Sequence, residues 1–320
     1  MRRLFVAASS IGVVAFLAYP ALTSAPVSFS PAPFQPGPAA VLFGGDMMFD
    51  RTVRTAMDAK GGDYIFSCID ELLQSADLVV ANLEGPITAH ASRSAGTAPG
   101  GEFNYTFPFP TSTAELLARH NIRLVNIGNN HILNFGKEGE RSTISYLTAA
   151  GVGYFGDTEV SAVAHINIGV RLAFINYNEF MPQEHTNILK YVSMSSTTLR
   201  EIKEARDAGE IPIVYAHWGE EYVPASASSR ELAHSFIDAG AELVVVSHPH
   251  VVQEHETYAG KEIYYSLGNF VFDQYWNEAV RAGLLLKVVF DENGVRRIEE
   301  IPIRLERDRR TCPTGSRGGA

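Results

Sequence analysis

The chain has 320 residues, 46% of them apolar and 19% charged, and carries a net charge of −10 at neutral pH. That is an ordinary globular composition, long enough to bury a large core in one long α/β domain or two smaller ones. A nucleic-acid surface needs a basic excess, and this chain has the opposite balance, so no nucleic-acid partner is expected.

In chain order, Arg2 and Arg3 precede an uncharged apolar run over 4–19, then Pro20 and the small residues 21–25. A basic start, a short apolar centre and small residues before a cut after Ala25 form an export signal. The run is shorter than the roughly 20 residues a spanning helix needs, although a retained short membrane anchor is the alternative. An exported location, periplasmic or extracytoplasmic, follows. Residues 26–39 hold five prolines between Pro26 and Pro38 and no charge, which makes them an extended linker.

The body then alternates apolar strands with helix-like stretches, the mark of a layered α/β fold. A strand over 41–45 is followed by a helix over 64–75, a strand over 78–82, a helix over 113–121 and a strand over 122–127. A helix over 137–150 stops at Gly151. A short strand over 152–155 and a hairpin over 164–176, turning at Gly169, come next. A helix over 196–208 leads to a strand over 211–216, and a helix over 230–239 to a strand over 242–246. After His250 the helices stop, and strands are expected around 251–258, 262–267, 283–290 and 296–305. Antiparallel strands added late point to a mixed sheet sandwich with helices outside. Stretches 89–101 and 181–195 read as loops, of the kind that overhang sites. The body is thus 40–305, and the polar, basic residues 306–320 read as a disordered tail. Cys68 and Cys312 are the only cysteines. Two cysteines do not make a disulfide framework, so unpaired thiols are the default, with pairing after export the alternative.

Polar residues recur just past the apolar strands: Asp46 in VLFGGDMMFDR, Glu84 in LVVANLEGP, Asn130 and His131 in LVNIGNNH, His217 in IPIVYAHWGEEY, and His248 with His250 in LVVVSHPH. An open α/β sheet opens its ligand crevice at the carboxyl ends of its strands. Two carboxylates, an amide and several imidazoles suit Mn, Fe or Zn. Taken singly, Asp46 is equally a helix N-cap, Glu84 an ordinary loop acid, the asparagines turn formers, and His217 a structural histidine. His248-Pro249-His250 is the most specific signal: the residue before proline is driven toward extended geometry, and residues two apart then share a face. Asn130 offers an amide oxygen to a metal, while His131, diverging from it, suits a general acid. Glu220, Glu221 and Asp273 are candidates to orient the imidazoles.

These clusters in this order resemble the CapA family of bacterial capsule and poly-γ-glutamate biosynthesis proteins, within the calcineurin-like metallophosphoesterase superfamily. The resemblance runs from about Val41 to Asp273 and is carried by ADLVVANLEGPIT, GNNHILNFG, AHWGEEY, IDAGAELVVVSHPHVVQ and YYSLGNFVFD. It implies a sandwich of two mixed β-sheets flanked by helices, with two divalent metal ions at the strand ends. Asp46 and His250 would hold one metal, Glu84 would bridge, and Asn130, His217 and His248 would hold the other, with His131 as the acid. Asn129 joins the set as a supporting residue. Met48 stands where the superfamily's Asp-x-His motif has its histidine, with Asp50 as the candidate substitute. Arg51 matches a family arginine suited to an anionic group, and Asn134 stands where an aspartate is expected.

The expected function is metal-dependent hydrolysis of a phosphoester or related anionic bond at the cell envelope, on an anionic polymer or phosphoester substrate. A non-catalytic accessory role beside membrane-bound polymer synthase or export proteins is the rival from another class. Hydrolysis of an amide bond in γ-linked glutamate or peptidoglycan is a third.

Overall fold

The computed structural model describes residues 37–97, 99–101, 104–158, 163–180 and 188–314. The export signal or anchor, most of the proline-rich linker, residues 181–187 of the second loop and residues 315–320 lie outside the described residues. No helix among the described residues is long and apolar enough to cross a membrane.

The elements run in the order β1 (Ala39–Met47), α1 (Arg51–Lys60), a 3-10 turn (Gly62–Phe66), α2 (Asp70–Gln74), β2 (Leu78–Leu83), α3 (Thr113–Arg119), β3 (Ile122–Asn126), α4 (Gly136–Ala149) and β4 (Gly153–Phe155). They continue with β5 (Val163–Asn167), β6 (Arg171–Asn178), α5 (Ile188–Asp207), β7 (Ile211–His217), α6 (Ala227–Ala239) and β8 (Leu243–Ser247). The last are β9 (His255–Tyr258), β10 (Lys261–Tyr264), β11 (Asn269–Val271), α7 (Glu278–Arg281), β12 (Ala282–Asp291), β13 (Gly294–Leu305) and β14 (Thr311–Pro313).

Two mixed sheets result, ordered β14-β13-β12-β1-β2-β3-β4, with β11 beside β1, and β5-β6-β7-β8-β10-β9. Strands β1 to β4 are parallel, as are β6, β7, β8 and β10, and the late strands β12 to β14 add antiparallel. This is the expected α/β sandwich.

The central strands bury both faces, which is why they read as continuous apolar runs and not as alternating ones. On β1, Val41 and Phe43 meet Phe174, Ile213, Tyr215 and Val245 of the opposite sheet, while Leu42 packs outward with the helical side. On β7 and β8 the other parity, Val214, Ala216, Val244 and Val246, packs with α5 and α6. Each fully buried Phe or Ile contributes about 1.5–3 kcal/mol relative to exposure. Phe43 and Phe155 each sit about one ring width from Phe174, at 6.1 and 6.0 Å between centroids. Tyr215 Oη donates to Gly44 O at 2.5 Å, tying the sheets together just below the strand ends.

Several expectations are corrected. The expected helix over 64–75 is a 3-10 turn and the short α2, because Ser67 N and Ile69 N bond three residues back. Helix α1, unanticipated, buries Val53 and Met57. Helix α5 begins at Ile188, inside the expected second loop. Cys68 and Cys312 form a disulfide, not free thiols. Residues 306–314 are not a disordered tail: Leu305 pairs with Thr311 and Arg304 with Cys312, which adds β14 to the larger sheet.

Candidate metal centre

The parallel strands β1, β2, β3, β7 and β8 end at one rim, and each, or the turn after it, delivers a polar side chain there. Asp46 lies at the end of β1, where the ladder with β2 skips a step after Phe43. The double glycine before it does not make a turn. A Cβ at Gly45 would lie 1.8 Å from Gly268 O and one at Gly44 2.7 Å from Phe270. The glycines are therefore needed so that β11 can lie against β1, and Asp46 N donates to Gly268 O at 3.1 Å.

Asp46, Glu84, His217, His248 and His250 are all buried. His250 Nδ1 lies 3.3 Å from Asp46 Oδ2, and its Nε2 lies 3.5 Å from Glu84 Oε1. His217 Nε2 is 3.0 Å from Asn130 Oδ1. The rings of His217 and His248 are 4.9 Å apart, and those of His248 and His250 5.9 Å. Residues separated by more than two hundred positions thus meet in one small volume. His131 joins from the other side, with Nε2 3.8 Å from Glu84 Oε1.

The His-Pro-His segment is not extended. His248 has φ 100° and His250 φ 57°, a left-handed conformation that non-glycine residues seldom adopt. Both imidazoles point inward because of that strained turn, and strain of this kind is kept where the surroundings over-determine it. His248 N donates to Asp46 Oδ2 at 3.1 Å, which helps hold the turn.

Asn129 and several residues that the sequence reading did not single out organise the cluster. Asn82, the fifth residue of β2, donates to Asp46 Oδ1 at 2.8 Å and approaches Glu84 Oε2 at 3.5 Å and His217 Nδ1 at 3.3 Å. Its own Oδ1 accepts from Asn126 and Asn129, and Asn176 donates to Asn126 in turn. Asn129 also bonds Leu83 O and accepts from His131 N and Ile132 N, so it shapes the turn that carries Asn130 and His131. Asn269 Oδ1 lies 3.0 Å from His250 Nδ1, and Ser247 Oγ lies 2.9 Å from His217 Nδ1. Ser247 Oγ, which also donates to Ala216 O, and Asn82 Nδ2 together hold the His217 ring by Nδ1 and keep Nε2 toward Asn130. A readable signal existed: apolar runs that close on asparagine, as in VVAN, LVN and FIN.

The other candidates separate. Asn134 Oδ1 takes Phe107 N at 3.0 Å and lies 3.2 Å from His131 Nδ1, holding that ring by its far nitrogen. Asp50 does not substitute for the missing histidine. Its carboxylate accepts from Ser92 and Ser94 and lies 3.8 Å from Arg54, and so fastens the 92–94 turn. Met48 packs in the apolar core. Arg51, 2% exposed, lies between the rings of Phe107 and Phe272, which contact the rings of His131 and His250 in turn. Glu221 is exposed at the rim, while Asp273 pairs with Arg51 and not with an imidazole.

The electrostatics describe a cluster short of positive charge. Burial opposes ionisation of Asp46, but His250, His217 and Asn82 together hold its carboxyl well below the usual range. Burial, reinforced by the Asp46 charge, pushes Glu84 well above the usual range. Burial lowers His131 to about 4 and His248 to about 3, and takes His217 well below the ordinary imidazole value; neighbouring imidazole charge adds to each effect. Glu84 Oε1 and His248 Nδ1 are buried without a hydrogen-bond partner. Glu84, His248 and His250 offer ligand atoms within 4.8 Å of one another. Neutral imidazoles and an unsatisfied carboxylate oxygen are what a divalent cation requires, and ligands on one cation with bonds near 2.1 Å sit about 3 Å apart, as His217 and Asn130 do. The residues fit a metal.

A two-sheet α/β sandwich with histidines, carboxylates and amides gathered at its parallel strand ends has the calcineurin-like metallophosphoesterase architecture. Within that class, the family described as bacterial capsule synthesis protein PGA_cap matches residues 40–274, and the chain belongs to it. It is 29% identical over 276 residues to the capsule biosynthesis protein CapA of Bacillus anthracis, covering 82% of this chain and 66% of that protein. It is 30% identical over 274 residues to the PGA biosynthesis protein CapA of Bacillus subtilis (strain 168), covering 82% and 70%. A probable polyglutamine synthesis accessory protein of Mycobacterium tuberculosis is 27% identical over 234 residues, covering 62% and 56%.

Proposed function

We propose that this CapA-like protein of capsule or poly-γ-glutamate biosynthesis is a dinuclear-metal hydrolase of a phosphoester or related anionic group, working outside the cytoplasm. The observation that carries the reading is the pair of orphaned buried atoms, Glu84 Oε1 and His248 Nδ1, inside a cluster drawn from the ends of parallel strands in both sheets. Asp46 and His250 would hold one divalent ion, Asn130, His217 and His248 the other, and Glu84 both; Mn, Fe and Zn suit this donor set. Such ions supply Lewis-acid activation of water and a clamp on the reacting oxygens.

The chain's own residues do the rest. Asn134 fixes the His131 ring so that Nε2 faces the cluster, where a proton on Nε2 would pass to the leaving-group oxygen. Arg51 brings a buried cation to the same wall and suits an anionic substrate. Anionic polymer and membrane-bound synthesis or export proteins are the partners this reading implies, and the disulfide agrees with an oxidising compartment.

A non-catalytic accessory role is the second reading. It is favoured by the short donor set around Asp46, since Met48 is apolar and Asp50 is engaged elsewhere. Hydrolysis of a generic phosphate ester by the purified protein loaded with Mn, Fe or Zn tests the first reading, with His131→Ala as control. Turnover that His131→Ala abolishes supports it. Absence of turnover, with His131→Ala still complementing a polymer-deficient strain, supports the accessory role.

A further inference from the structure

The last stretch of the described chain, beyond the residues that match the family, runs back to the wall of the candidate metal centre. Arg51 begins α1 with φ 50°, a left-handed conformation that is costly for a bulky residue other than glycine. Its Nη2 lies 2.6 Å from Asp273 Oδ1, and its Nε has no hydrogen-bond partner although it is buried. The other oxygen of Asp273 accepts from Thr52 N at 3.1 Å and from Thr52 Oγ1 at 2.8 Å. Thr52 Oγ1 in turn accepts from Arg309 Nε at 2.9 Å. A hydroxyl has one hydrogen to give. With that hydrogen on Asp273, the lone pairs are left for Arg309, so the chain of bonds has one direction.

Arg309 is itself held. It lies in a tight turn with φ 80°, its N donates to Glu306 O at 2.8 Å, and its guanidinium sits 4.6 Å from the Tyr275 ring centroid. Directly after it, β14 pairs with β13, Thr311 Oγ1 donates to Phe270 O, and Cys312 is bonded to Cys68. Cys68 sits between the 3-10 turn and α2, so the disulfide fastens β14 to the segment that follows α1.

We propose that residues 306–313 form a strap, locked by the Cys68–Cys312 bond, that positions Arg51 at the metal centre through Arg309, Thr52 and Asp273. Arg309, Thr52 and Asp273 are positioning residues in this scheme, and Arg51 is the group that meets the anionic ligand. The role of Arg51 rests on the function proposed above; the strap's hold on Arg51 does not.

The test uses Thr52→Val, which removes the hydroxyl at constant shape, Thr52→Ser, which keeps it, and Arg309→Ala, with Arg309→Gln in reserve should Arg309→Ala fail to fold. In metal-free 15N-labelled protein, the Arg51 Nε–H resonance is expected to shift and lose order in Thr52→Val and Arg309→Ala but not in Thr52→Ser. In manganese-loaded protein, calorimetry with inorganic phosphate is expected to show binding weakened about fivefold in the same two variants, the scale of one lost buried hydrogen bond. Bound manganese should be unchanged. An unaltered Arg51 resonance in folded Thr52→Val and Arg309→Ala would overturn the strap. An Arg51 resonance that responds in those two variants, together with phosphate binding that Arg51→Ala leaves unchanged, would sustain the strap and overturn the anion-binding reading instead.

Discussion

Asn269 shows how much of this centre depends on side chains that would never touch a metal. Its amide oxygen meets His250 Nδ1, while its nitrogen donates to His250 O, Gln274 Oε1 and Val280 O. The ring is thereby fixed with Nε2 toward Glu84. Loss of such an outer partner typically costs 10–100-fold in metal affinity, so Asn269→Ala is expected to weaken metal binding by about that range while the protein stays folded; a competition titration with a chelating dye checks it. The buried imidazoles also set a pH dependence. His131 and His248 titrate near 4 and 3 in the fold, against about 6.5 when unfolded. The unfolded state therefore binds more protons between those values, and stability rises with pH across that window. Metal-free protein should be unaffected by these two groups above pH 7. It should lose on the order of 3 kcal/mol for His131 alone as pH falls from about 6.5 to 4. Thermal melts across pH 4 to 8 that show no such fall would contradict the burial argument.

Among the elements, the close approach of β11 to β1 is the most sensitive. Gly45→Ala would place a methyl 1.8 Å from Gly268 O. Overpacking of a core typically costs about 1–3 kcal/mol and more where backbone must move, so a melting temperature equal to wild type would refute this packing. The strap has its own consequence: Cys68 and Cys312 are separated by 244 positions, and opening so long a loop by Cys312→Ser is expected to cost on the order of 2–5 kcal/mol, readable by urea denaturation. The strands and the polar residues gathered at their ends were legible in the sequence because buried parallel strands are continuous apolar runs, and a polar residue closing a run stands out. Helix α1 was not, since RTVRTAMDAK buries only Val53 and Met57 among its apolar residues. Asn82 and Asn269, uncharged amides within β2 and β11, were not singled out. The Cys68–Cys312 pairing had no local signal at all, because only the completed sheet brings β14 beside the turn that carries Cys68.

At the scale of the molecule, the two sheets act as one rigid holder. Three apolar clusters lie on either side of and between them, Tyr215 ties one sheet to the other, and the asparagine series from Asn82 through Asn126 to Asn176 crosses from β2 to β6 at the rim. Such a frame holds Asp46, Glu84, Asn130, His217, His248 and His250 in place, including the two strained histidines. The most direct test of the central claim is the number of divalent ions retained per chain after exhaustive dialysis of manganese- or zinc-loaded protein, measured by elemental analysis for wild type, Asp46→Ala and Glu84→Gln. The account predicts two ions in wild type, one in Asp46→Ala, and one or none in Glu84→Gln. Wild-type protein that is folded and retains no ion, or variants that retain as many as wild type, would contradict it.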